Sequence, residues 1–130
     1  MDIFFADPSE IPLPPAEIRI RSLEAQPWPD GRRVKISLDL DPFQKPPSLE
    51  LTLLDPGNVV AGSADIIETM SRRMELNLHL RSDPQPGDYT LEAVLFYLEH
   101  RPVEEGEANE SFPYRRMVVD AAQVRCTLVT

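Results

Sequence analysis

The chain predicts an all-β fold, an antiparallel β-sandwich of seven or eight strands, with a small antiparallel barrel as the other way such strands can close. Three observations lead there. Apolar and polar residues alternate in several short runs, and alternation at period two marks a half-buried strand. Turn formers, including fourteen prolines, gather between those runs. No stretch carries an apolar stripe at helical spacing. At 130 residues the chain suffices for one domain that buries roughly two-thirds of its unfolded surface. Residues 1–16 read as an extended arm and residues 17–130 as a single sandwich domain.

The arm joins Ile3, Phe4 and Phe5 to Pro8, Pro12, Pro14 and Pro15, which hold the backbone extended. Phe4 and Phe5 either pack back over an open end of the sandwich or dock on another protein. The first strand spans 17–25, with Ile18 and Ile20 inward. Leu23 falls out of step with them, which places a bulge near Ser22. The turn Pro27-Trp28-Pro29-Asp30-Gly31 follows, with Gly31 as the residue that accepts a positive φ. Trp28, the single tryptophan, is either a plug at the end of the core or a platform for a sugar ring or a partner.

Residues 33–41 alternate most cleanly: Val34, Ile36, Leu38 and Leu40 on one face, Lys35, Ser37, Asp39 and Asp41 on the other. Residues 48–54 repeat the pattern with Leu49, Leu51 and Leu53. Asp55-Pro56-Gly57-Asn58, with proline second and glycine third, turns the chain back through Val59 and Val60. Gly62-Ser63 predicts a break, and Ala64 to Met70 a further strand, tipped from helix by Ile66-Ile67. Residues 72–98 then read as the central hairpin. Met74, Leu76, Leu78 and Leu80 face one way, a proline-rich turn follows, and a strand over 88–98 ends apolar on both faces, as a covered central strand does. Residues 99–113 form the longest stretch without periodicity, an acidic loop with five glutamates. The last strand, 114–129, is interrupted near Asp120-Ala121-Ala122 by a bulge or a kink between sheets.

The element Pro86-Gly87-Asp88-Tyr89-Thr90-Leu91 resembles the Pro-Gly-x-Tyr-x-Leu segment that opens a strand in many bacterial immunoglobulin-like and fibronectin-like domains. The resemblance implies an immunoglobulin-like sandwich in which Tyr89 packs at a corner and bonds nearby backbone. It also implies, more loosely, a role in binding or scaffolding. The chain departs from antibody domains in lacking their paired cysteines and core tryptophan.

A net charge of −9 disfavours nucleic acid and anionic membrane surfaces as partners. The arginine pairs 32–33, 72–73 and 115–116 read as solvated strand ends. The amino-terminal residues lack the basic and apolar regions of a signal peptide, and no run has the length of a membrane span. The single cysteine, Cys126, fits a reducing compartment, so the expected location is cytoplasmic.

Catalytic inventory is sparse. His79 sits on the polar face of a strand, and Cys126 alternates with Val124 and Leu128 as a buried thiol does. Asp39 and Asp41 lie on a polar face, where charge for solubility accounts for them. No glycine-rich phosphate loop is present and no cofactor is expected. Glu104, Glu105, Glu107 and Glu110 offer oxygen ligands for calcium, but their spacing matches no EF-hand loop, so no metal is expected. The sequence therefore predicts a noncatalytic module for protein interaction or scaffolding, with a protein partner or a second copy of itself. The expected contact residues are Phe4 and Phe5, Trp28, and His100 with the four loop glutamates. Binding of a small ligand or carbohydrate near Trp28 is the alternative.

Overall fold

A computed structural model of the chain describes residues 11–100 and 114–128. The alternating runs become seven strands: β1 Ile20–Pro27, β2 Arg33–Leu40, β3 Ser48–Leu54, β4 Val60–Ile66, β5 Arg73–His79, β6 Gly87–His100 and β7 Tyr114–Leu128. A 3₁₀ turn, Pro15–Glu17, precedes them. Two antiparallel sheets result, one ordered β1-β2-β5 and the other β4-β3-β6-β7. Their inner faces supply one apolar core, to which β2 gives Val34, Ile36, Leu38 and Leu40, β3 gives Leu49, Leu51 and Leu53, and β6 gives Leu91, Ala93 and Leu95. Burying each larger aliphatic side chain contributes about 1.5–3 kcal/mol. The fold is an all-β antiparallel sandwich.

Both expected irregularities are present. The β1–β2 register shifts between Ile20 and Ser22, and the β6–β7 register shifts between Leu95 and Phe96, opposite Val118 and Asp120. At the second bulge Asp120 turns its carboxylate to the other sheet and accepts the Ile20 backbone N–H at 2.8 Å. Arg19 donates to the Val119 carbonyl at 3.2 Å. These bonds join the β1 and β7 edges.

Two expectations are corrected. Residues 72–98 are not a hairpin, because β5 pairs with β2 while β6 pairs with β3 and β7. Alternation fixes which side chains face the core, not which strand lies alongside. The connection between β5 and β6 carries the chain from one sheet to the other. At its end Tyr89, 2% exposed, accepts the Gln85 backbone N–H on its hydroxyl at 3.0 Å, the corner contact expected of it. Second, Gly62-Ser63 does not break a strand. It lies inside β4, which ends at Ile66, so of the strand expected over 64–70 only 64–66 is strand and 67–70 belong to a loop over 67–72. Gly62 is there because β4 runs hard against β5, and a Cβ on it would come 3.0 Å from the His79 carbonyl oxygen. The β3–β4 turn returns the chain as expected, with its positive φ on Asn58, at 63°. Asp55 fixes that geometry by accepting the N–H groups of Gly57 and Val59 on one carboxylate oxygen, at 2.8 and 2.9 Å.

Candidate functional site

Alternation sends Trp28 outward. It continues the outer face of β1 beyond Gln26, and its indole N–H reaches across the three-stranded sheet to Asn77 Oδ1 at 2.7 Å. Trp28 is half-buried and does not join the core cluster. The Arg33 guanidinium lies 4.5 Å from the ring centroid and is itself held by Asp30 at 2.9 Å. Backbone bonds to Arg32 and the Arg33 side chain keep the Asp30 carboxyl below its ordinary value, against a smaller opposing push from desolvation. A hollow of about 210 Å³ lies beside the indole, lined by Gln26, Pro27, Trp28, Pro29 and Lys35. One face of the ring and its only donor are therefore already engaged.

The rest of that outer face is a lattice of cross-strand ion pairs. Arg21 meets Asp41 at 2.6 Å, Lys35 meets Glu75 at 3.4 Å and Arg73 meets Asp39 at 3.5 Å. Both aspartates noted in the sequence are thus matched to arginine, an arrangement that favours strand register. On the opposite sheet Arg116 covers the ring of Phe96 at 4.0 Å and pairs with Glu50 at 2.8 Å.

The open edge between β4 and β5 is different in kind. At one end the edges touch, where the Arg81 N–H donates to the Ala61 carbonyl at 2.8 Å and Gly62 packs under β5. Toward the other end they part, leaving an open cleft of about 470 Å³ whose apolar lining is Ile66, Met70, Met74 and Leu76. The loop over it is pinned from below. Ser48 Oγ accepts the Glu68 N–H at 3.0 Å, and Pro47 accepts the Thr69 N–H at 2.9 Å. Thr69, itself buried, donates its hydroxyl to the Ser71 carbonyl at 2.9 Å. Glu68 takes a positive φ of 48°, which turns the chain so that the neighbouring apolar side chains face water. Ile67 is 59% exposed and Met70 85%. Large apolar side chains held outward beside an apolar cleft are the usual mark of a contact surface.

Sequence reasoning missed this site because residues 64–70 read as a strand. The signal was present: Ile66, Ile67 and Met70 fit no single face at period two. Of the residues expected to make contacts, only Trp28 has a described side chain. Phe4, Phe5, Glu104, Glu105, Glu107 and Glu110 lie outside the described residues, as does the side chain of His100. Among the described residues, no three or more His, Cys, Asp or Glu side chains gather as a metal site would require. His79 is exposed on the outer face of β5. Cys126 is buried in the core cluster, and burial, with the Asp88 charge second, pushes its thiol up. No described helix is long and apolar enough to cross a membrane.

No protein-family model matches the chain, and no curated protein does. Among solved structures it is similar to part of the beta-glucuronidase of Bifidobacterium dentium, at 16% identity and a TM-score of 0.48, over 85% of this chain and 18% of that one. It is also similar to part of the beta-glucuronidase of Ruminococcus gnavus, at 11% identity and a TM-score of 0.44, over 88% of this chain and 16% of that one. The chain thus spans less than a fifth of either of these two proteins.

Proposed function

We propose that this chain is a cytoplasmic, noncatalytic protein-interaction module whose contact site is the cleft between β4 and β5. The observation that carries the proposal is the pinned loop of residues 67–72, which holds Met70 and Ile67 in water beside an apolar cleft. Turning two large apolar groups outward forgoes burial worth about 1.5–3 kcal/mol each, a cost that a partner recovers on binding. The cytoplasmic setting is supported by the single cysteine, buried and unpaired. The partner is a protein presenting an apolar segment, or a second copy of the chain.

The test pairs light scattering with affinity capture from the native host, using the natural chain and an Ile67→Ser/Met70→Ser variant. The expected result is a dimer, or a captured protein, that the natural chain forms and the variant loses. A monomer at high concentration, together with identical captures by both chains, overturns the reading.

A second reading, a small ligand or carbohydrate at Trp28, draws on the hollow beside the indole. Arg33 on one ring face and Asn77 on the indole N–H weigh against it. A shift of Trp28 fluorescence on titration with mono- and disaccharides would favour it.

A further inference from the structure

Strand β5 has one side that the described chain does not use. Leu40 donates its N–H to the Arg72 carbonyl at 2.8 Å, and Leu80 donates its own to the Arg32 carbonyl at 2.9 Å. In an antiparallel ladder such bonds recur at every second residue, so Met74, Leu76 and Leu78 direct their backbone groups to β2. The N–H and carbonyl groups of Arg73, Glu75 and Asn77 therefore point away from β2, and no described strand pairs with them. At the Arg81 end this side is closed by Ala61 and Gly62 of β4. Around Arg73 to Leu76 it is open, and the inner-face side chains of Met74 and Leu76 are only half-buried where they line the cleft. An open edge of this kind is a template for a further strand.

The side chains of the edge select the strand that fits. When β5 of a second copy lies antiparallel to it with Met74 opposite Met74, Arg73 of each copy stands opposite Glu75 of the other. Neither side chain is held tightly within its own chain. Arg73 meets Asp39 at 3.5 Å and stays 69% exposed, and Glu75 meets Lys35 at 3.4 Å and stays 64% exposed. Moving the centre to Arg73 or Glu75 sets like charges against each other. Moving it to Leu76 requires the backbone of His79, against which Gly62 already packs. The exposed apolar groups obey the same symmetry: Ile67 and Met70 lie at one end of the edge, and Val59 and Val60 at the other. A two-fold axis at Met74 brings each end of one copy to the opposite end of its partner.

We propose that the chain self-associates through β5, as an antiparallel β5–β5 pair centred on Met74 that joins two three-stranded sheets into one. The inference rests on the reading of the β4–β5 cleft as a contact site, and it names the occupant as a second copy of the chain.

The test is a charge exchange followed by sedimentation equilibrium of the full chain, with circular dichroism confirming that each variant is folded. Arg73→Glu and Glu75→Arg are each expected to weaken the dimer at least tenfold. The double variant Arg73→Glu/Glu75→Arg restores the pairing between copies, though not the contacts with Asp39 and Lys35, and should return to within threefold of the natural chain. Single variants without effect, or a double variant as weak as either single, overturn the proposal. A disulfide assay checks the register without any charge change. Met74 opposite its own copy is a non-hydrogen-bonded pair, with Cα atoms about 4.5 Å apart, inside the range a disulfide spans. Met74→Cys should therefore close between copies at least tenfold faster than His79→Cys, although His79 is the more exposed; equal closure, or faster closure at His79, overturns the register. A natural chain that stays monomeric at millimolar concentration overturns self-pairing alone. The contact-site reading fails separately, when the Ile67→Ser/Met70→Ser variant also captures the same proteins as the natural chain.

Discussion

Replacing Gly87 by alanine tests the physical basis of the Pro-Gly-x-Tyr-x-Leu element. Gly87 has a φ of +131°, a region that residues with a Cβ rarely adopt, and a Cβ there would stand 2.9 Å from Pro56 Cγ. The backbone term costs about 1–3 kcal/mol. Forcing the Pro56 ring aside adds about 1 kcal/mol, the low end for overpacking, because Pro56 sits in an exposed turn. The sum, about 2–4 kcal/mol, is a large share of the ~5–15 kcal/mol that stabilises an ordinary domain. It corresponds to a fall in Tm on the order of 10 °C for a chain of this size. Gly57→Ala is the matched control. Gly57 is not at positive φ, its Cβ would meet Asp55 Oδ1 at an ordinary 3.4 Å, and the expected change is within about 0.5 kcal/mol. Urea melts followed by far-ultraviolet circular dichroism give both values, with equal slopes reporting that the unfolded states are comparable. If Gly87→Ala costs no more than Gly57→Ala, the corner does not depend on glycine and the reasoning is refuted.

Other outcomes follow from the same geometry. Tyr89→Phe keeps the buried ring and loses only the bond from Gln85, whose N–H can turn to water, so urea melts should show a loss of about 0.5–1.5 kcal/mol. Cys126 should resist iodoacetamide at neutral pH in the folded protein and react at an ordinary thiol's rate in urea, because burial holds its thiol up; fast labelling of the native chain would contradict this. Arg33→Ala should change Trp28 emission and its quenching by iodide without moving Tm by more than a few degrees, since the pair lies on the outer face. Asp30 is held below its ordinary value of 3.8 in the fold, so its contribution is present above that pH and is lost as pH falls through the lower folded value. Asp30→Asn should therefore flatten the acid limb of the stability profile below about pH 4, which urea melts at a series of pH values can read.

Much of the sandwich is legible in the residues. Strands β2, β3 and β5 follow from alternation alone, the bulge near Ser22 from the misfit of Leu23, and the corner from the six residues around Tyr89. What sequence leaves open is what distant backbone decides. Gly62 reads as a breaker until β5 is seen beside it, and Ser82 to Gly87 read as a hairpin turn although they cross between sheets. The cleft was hidden for the same reason: Ile67 and Met70 look like strand residues, and only the bond from Glu68 to Ser48 and the positive φ of Glu68 turn them to solvent. Trp28 was legible as a marginal residue, but its partners Asn77 and Arg33 were not, because outer-face contacts depend on which strands are neighbours.

The carboxylate of Asp120 has a consequence for how the protein is made. It caps an N–H of Ile20 one hundred residues earlier in the chain. Synthesis runs from the amino end at about 5–20 residues per second, so β1 waits at least several seconds before its edge partner emerges. Until then the three-stranded sheet can assemble, but its β1 edge stands open to any other nascent chain. A ribosome paused between β5 and β7 would prolong that exposure, and slow codons there should raise the fraction of chains lost to aggregation.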